Sequence, residues 1–245
     1  MAEDLSQSRD KMTTLEGQEN LALLRYRPVY FLYGNPDTKA QISFKFLLIR
    51  TVPLYIGYSQ LVFWRLNAKS RPFEDATYHP ELFYRWNFPK SRVTTVDFGP
   101  WSHLSNGKTE EASRSVDETF VRVNSRWDFS SLTLLLSGTG SINYNEDETN
   151  RDLYLYRGPF EIQGSVINFF DLQQFIDKSE FNVRMFPGGR YGERWQHGGY
   201  EIGFNFRFGA YDVFPTFYLQ YYQGFAESMI NYNQFVRQFR AGISF

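Results

Sequence analysis

Tyr200-Glu201-Ile202-Gly203-Phe204-Asn205-Phe206-Arg207 alternates without a break: Tyr200, Ile202, Phe204 and Phe206 share one face, and Glu201, Gly203, Asn205 and Arg207 the other. The same period of two returns at the last residues, where Phe239, Ala241, Ile243 and Phe245 oppose Gln238, Arg240, Gly242 and Ser244. Side chains on an extended strand point to opposite sides in turn, so this pattern specifies strands with one apolar face. Taken alone, it leaves open whether that face meets a protein core or lipid.

Working outward, the alternation starts near Leu24 and persists. It predicts strands over 24–34, 40–50, 54–66, 80–88, 92–104, 117–129, 132–143, 153–170, 179–186, 198–208, 214–224 and 234–245. No helical period of any length interrupts them and no linker divides them, so residues 24–245 read as one domain behind a polar tail, 1–23. The links alternate in length. Those at 67–79, 105–116, 144–152, 187–197 and 225–233 are long, whereas Thr51-Val52-Pro53, Pro89-Lys90-Ser91 and Ser130-Ser131 are short. Long and short links alternating along an even-stranded meander, with charged residues on the polar face, describe an all-β fold: a twelve-stranded antiparallel transmembrane β-barrel. A final Phe in strand register agrees with that.

Composition narrows the field further. Of the 245 residues 19% are aromatic, with 25 Phe and 17 Tyr, against 42% hydrophobic overall. Aromatic side chains suit strands and membrane–water interfaces. No run approaches the roughly 18 apolar residues of a spanning helix. A formal net charge of −1 supplies no basic field for nucleic acid. The absence of cysteine excludes disulfides and thiolate metal sites, and His79, His103 and His197 are too scattered for a zinc site. Met1 to Asn20 contains no apolar signal core, so an exported chain has had its leader removed or replaced.

The chemistry gathers at one place. His103 and Ser105 are two residues apart, hence on one face of a strand and about 6.6 Å apart at Cα. Asp117 opens the next strand on the side of Thr119, Val121 and Val123. In an antiparallel pair these strand ends are neighbours. A base, a hydroxyl nucleophile and a carboxylate become available together: Ser105 to attack, His103 to take its proton, Asp117 to hold the imidazole. All three fall at the long-link end and on the apolar side, so in a barrel they face lipid near the outer rim, and the expected substrate is a lipid. Asp97 would share the face of His103 unless Gly99-Pro100 marks an irregularity in the strand. There is no Gly-x-Ser-x-Gly elbow and no phosphate-binding Gly-Lys loop.

These residues resemble the active-site signature of the outer-membrane phospholipase A family: His103-x-Ser105-Asn106-Gly107, then Ser113-Arg114-Ser115 and a carboxylate or amide at 117. Further segments in family order are Ser59-Gln60 through Trp64, Ser70-Arg71-Pro72-Phe73, Tyr78-His79-Pro80-Glu81-Leu82-Phe83 and Gly224 through Asn233. The resemblance implies calcium-dependent hydrolysis of sn-1 and sn-2 acyl esters of phospholipids and lysophospholipids, in the bacterial outer membrane with the site at the outer leaflet. It implies Ser105 as nucleophile, His103 as base, and calcium beside the oxyanion site, with the Gly107 amide as a second donor. The calcium ligands would be the Lys108 carbonyl, the Ser113 hydroxyl and, from a second subunit, the Ser70 hydroxyl, which makes a homodimer the active form. Many members carry Asn where this chain has Asp117. Glu110 and Glu111 are alternative ligands or simply solvated charges. Gln60, on a face with Leu54, Ile56, Tyr58, Val62 and Trp64, is a polar amide toward lipid that the resemblance pairs across the dimer; a register slip would turn it inward instead.

The competing reading is a non-catalytic barrel, either a narrow pore or a surface-binding protein. In that case the loop at 187–199, with Arg190, Tyr191, Arg194, Trp195 and His197, would hold a ligand.

Overall fold

The computed structural model describes residues 23–49, 51–170, 176–189, 194–208 and 215–245; the tail over 1–22, Arg190 and Tyr191 lie outside them. In chain order the strands are β1 (Leu24–Arg25), β2 (Tyr30–Gly34), β3 (Thr38–Ile49), β4 (Val52–Trp64), β5 (Phe73–Asn87), β6 (Val93–Ser105), β7 (Ser115–Asp128), β8 (Thr133–Tyr144), β9 (Phe160–Ile167), β10 (Ile176–Phe186), β11 (Gly199–Phe208), β12 (Thr216–Gly224) and β13 (Val236–Ser244). Every pairing is antiparallel; from β2 onward each strand pairs with its sequence neighbours, β1 lies beside β3, and β13 closes on β2. From β2 to β13 this is a closed twelve-stranded barrel with no free edge. Closure leaves no strand edge without a partner, the condition for a sheet to cross lipid.

Three expected boundaries move. The strand expected at 24–34 is broken into β1 and β2, both of which pair with β3. From Leu24 to Tyr30 it advances six residues while β3 goes from Lys45 to Gln41, four. In the gap, Pro28 has no N–H to give the ladder. Tyr26 turns in to stack on Phe83, ring centroids 5.4 Å apart, and Arg27 turns in to Glu81 at 2.8 Å. The strand expected at 80–88 begins at Phe73, so most of the expected link is strand. Pro80 conceals it, yet the β5–β6 ladder tolerates the missing donor by skipping from Tyr78–Ser105 to Glu81–Ser102. The strand expected at 153–170 begins at Phe160; Leu153–Tyr156 is a helical turn instead.

The wall sorts its side chains as the alternation requires. Phe31, Ile42, Val121, Ile142, Phe217 and Phe239 stand exposed on the outside. Inside, charged groups are buried and paired. Lys39 reaches Glu201 at 2.7 Å and Glu227 at 3.2 Å, Arg240 bridges Glu227 and Asp37 at 2.6 Å each, and Arg85 grips Asp97 at 2.6 Å. A cavity of about 550 Å3 is lined by Arg85 and, among others, by Arg27, His79, Glu81, Glu118, Arg122 and Arg157. Apolar outside and ionic inside inverts the arrangement of a water-soluble globule and fits a wall solvated by lipid.

Candidate active site

The phase of β6 positions the site. Asp97 is fully buried inside the barrel and so are Ser102 and Leu104, whereas Phe98, Trp101, His103 and Ser105 lie on the outer side. The buried positions change from odd to even numbers between Gly99 and Ser102, where the β6–β7 register slips from Gly99–Phe120 to Ser102–Glu118. One extra residue in one strand of a pair is a β-bulge, and it flips every side chain beyond it. Pro100, with no N–H to lose, sits at the extra position. The bulge lets Arg85 and Arg122 neutralise Asp97 inside while His103, six residues on, faces out.

Beyond the bulge, His103 stands directly opposite Asp117 in the β6–β7 register, and Ser105 opposite Ser115. His103 Nδ1 lies 2.7 Å from Asp117 Oδ1. A carboxylate there selects the tautomer protonated at Nδ1 and leaves Nε2 as the basic nitrogen. The Trp101 ring lies nearly parallel to the imidazole, 9° between planes and 6.3 Å between centroids. The second carboxylate oxygen, Asp117 Oδ2, accepts a bond of 2.7 Å from Asn145 Nδ2. Ser105 Oγ accepts from the Gly107 amide at 3.1 Å. Gly107 has φ +66°, and a Cβ there would sit 2.9 Å from the Tyr78 ring. Only glycine brings its N–H to that position without strain.

The loop between β6 and β7 is tied at both ends by one buried side chain. Asn106 Oδ1 accepts from the amides of Lys108 at 3.2 Å and Arg114 at 3.0 Å, and its Nδ2 donates to the Ala112 carbonyl. Lys108 and Ser113 are thereby held at the two ends of one short loop. Ser113 Oγ donates to Asp147 Oδ2 at 2.6 Å, and that hydroxyl, with the Thr149 amide and hydroxyl, holds the Asp147 carboxyl below its ordinary range. The donors gathered here are carbonyl, hydroxyl and carboxylate oxygens, a set that fits a hard cation completing its shell with water. Among the described residues no cluster of three or more His, Cys, Asp or Glu forms a metal cage, so any metal here relies on such mixed oxygens. Glu110 and Glu111 are exposed on a 3-10 turn. Ser70 is exposed in the link between β4 and β5. Gln60 lies on the outer face, where its Oε1 accepts from the Tyr58 hydroxyl at 3.2 Å.

Several residues that matter here carry no signal in the sequence pattern. Asn145, Asp147 and Thr149 sit in a link that reads only as polar turn material, and Asn106, part of the active-site signature, is given no role by it. The segment between β12 and β13 is likewise more than a link: Met229 and Tyr232 pack with Leu104, Val116 and Leu153 into an apolar cap across the loop end. Tyr232 donates to Asp152, and Asp75 accepts from the Ile230 amide at 3.0 Å. Phe225, Met229, Ile230 and Tyr232, apolar side chains in a link, were the available clue. In the loop of the competing reading, Trp195 is exposed, while His197 packs edge-on against Tyr156.

Known proteins resemble this chain in sequence and in fold. The model of the phospholipase A1 family matches residues 7–245. Phospholipase A1 of Salmonella typhimurium is 25% identical over 221 residues, covering 84% of this chain and 68% of the relative, and that of Klebsiella pneumoniae is 26% identical over the same length. Among solved structures, outer membrane phospholipase A from Escherichia coli superposes with a TM-score of 0.76 at 20% identity, covering 95% of this chain and 96% of that one. The Salmonella typhi outer membrane phospholipase dimer with bound calcium gives 0.77 at 21% identity, covering 94% and 95%. These likenesses extend over nearly the whole barrel.

Proposed function

Because the chain belongs to the phospholipase A1 family, we propose that it hydrolyses the sn-1 and sn-2 acyl esters of phospholipids and lysophospholipids in the bacterial outer membrane. We assign the phospholipase unit to residues 24–245, with the site facing the outer leaflet. The observation that carries this reading is the His103–Asp117 bond of 2.7 Å on the outer face of the wall, with Ser105 two positions along the same face.

Ser105 Oγ attacks the ester carbonyl and passes its proton to His103 Nε2. Asp117 stabilises the imidazolium through Nδ1. His103 returns the proton to the departing glycerol oxygen, which leaves as the lysophospholipid. It then deprotonates the water that releases the fatty acid from Ser105. The Gly107 N–H, already aimed at Ser105 Oγ, donates to the oxyanion. Calcium, when bound, would supply Lewis-acid polarisation of the same carbonyl. The Lys108 carbonyl and Ser113 hydroxyl would hold it in one chain and Ser70 from a second copy would complete it, so the dimer is the active form. A calcium-bound dimer among the solved relatives supports that assignment.

The test is phospholipid hydrolysis by the purified barrel in detergent, with calcium and with chelator. Ser105→Ala is expected to abolish turnover and sulfonyl-fluoride labelling together, while the barrel folds normally. Undiminished hydrolysis by Ser105→Ala, or in calcium-free buffer, would refute the mechanism.

A further inference from the structure

We infer that Asn145 is a positioning residue for the triad, holding the outer oxygen of Asp117 so that the inner one stays aligned on His103; this rests on the reading of His103, Ser105 and Asp117 above. Asp117 presents one oxygen to His103 and the other to Asn145, each at 2.7 Å. A carboxylate held at only one oxygen can rotate about its Cβ–Cγ bond, and a second donor on the other oxygen removes that freedom. Asn145 is itself held in place. Its φ of +51° is a left-handed conformation, which Asn and Asp tolerate better than other non-glycine residues. The loop that follows is bolted to β7 close to Asp117. Asp147 N donates to the Ser115 carbonyl at 3.0 Å, and the buried Asn150 side chain exchanges two bonds of 3.0 Å with the Ser115 backbone.

The geometry also makes residue 145 sensitive to what stands at 117. An anionic Asp117 accepts only, so residue 145 must donate. Asn145→Asp keeps size, shape and left-handed backbone but sets two carboxylates against each other, and one of them must take a proton or turn away. Asn at 117 would offer an N–H to that new carboxylate and restore the bond.

The experiment measures calcium-supported phospholipid hydrolysis by wild type, N145D, D117N, D117N/N145D and S105A, with heat-modifiable gel migration to certify each barrel as folded. At neutral pH, N145D is expected to lower kcat on the order of tenfold to a hundredfold with KM little changed. D117N/N145D is expected to recover most of that loss, a non-additivity that a role in folding the loop does not produce. Wild-type turnover by folded N145D would overturn the inference, and so would a double variant no better than N145D. Hydrolysis that survives in S105A would instead overturn the triad reading beneath it.

Discussion

Replacing Gly99 by alanine tests the device that puts the histidine on the lipid side. A Cβ at this position would sit 2.6 Å from Phe120 Cδ1 and closer still to Cε1 and Cζ. Phe120 cannot easily give way. It is 3% exposed, packs with Tyr55 and Phe83, and carries the Arg122 guanidinium 4.7 Å from its ring centre. The ring or the strand must therefore move by a large fraction of an ångström. Overpacking of this kind costs about 1–3 kcal/mol. Gly99 is also the last paired residue before the register slip, so strand movement passes directly to His103 and Asp117, where a displacement of about 1 Å costs on the order of a hundredfold in rate. The assay is urea unfolding in detergent, followed by tryptophan fluorescence, alongside kcat for phospholipid hydrolysis. Both are repeated in a Phe120→Leu background, where the obstructing ring is gone. Gly99→Ala should lower the unfolding midpoint and kcat in the wild-type background and cost under about 0.5 kcal/mol in the second. Equal cost in the two backgrounds, or none in either, would show that contact with Phe120 does not set the bulge.

Two other substitutions probe the wall and the loop. Val121 lies midway along β7 on the outer face, 45% exposed; Val121→Arg should destabilise the barrel by about 2–4 kcal/mol in lipid if that face meets hydrocarbon, and unchanged stability in lipid vesicles would place the residue in water. Asn106→Ala unties both ends of the Lys108–Ser113 loop at once, so calcium titration of activity should show affinity lowered on the order of 10–100-fold with saturating turnover largely kept. A titration curve superimposable on wild type would remove Asn106 from any part in shaping that loop.

What local chemistry writes into the chain, the sequence by itself determined. Alternation gave the strands and their apolar side because each residue's face on a strand is set by its own parity. The spacing of His103 and Ser105 put both on one side for the same reason. Gly99-Pro100 announced the bulge, since a residue with no side chain followed by one with no N–H is poor material for a regular ladder. Tertiary structure decided whatever depended on contacts between residues distant in sequence. Leu153-Tyr154-Leu155-Tyr156 alternates like a strand, but Leu153 and Tyr156 belong to the cap with Met229 and Tyr232, and one helical turn brings residues three apart to the same side. Asp75, Thr77, His79 and Glu81 do alternate with apolar neighbours; what admitted Pro80 to β5 was a gap in the ladder with β6, invisible until both strands are in place. Asn145 and Asp147 lie some 30 residues from the side chains they hold. No period encodes such a pairing, because the register of β7 against β8 and the fold of the loop beyond it bring them together.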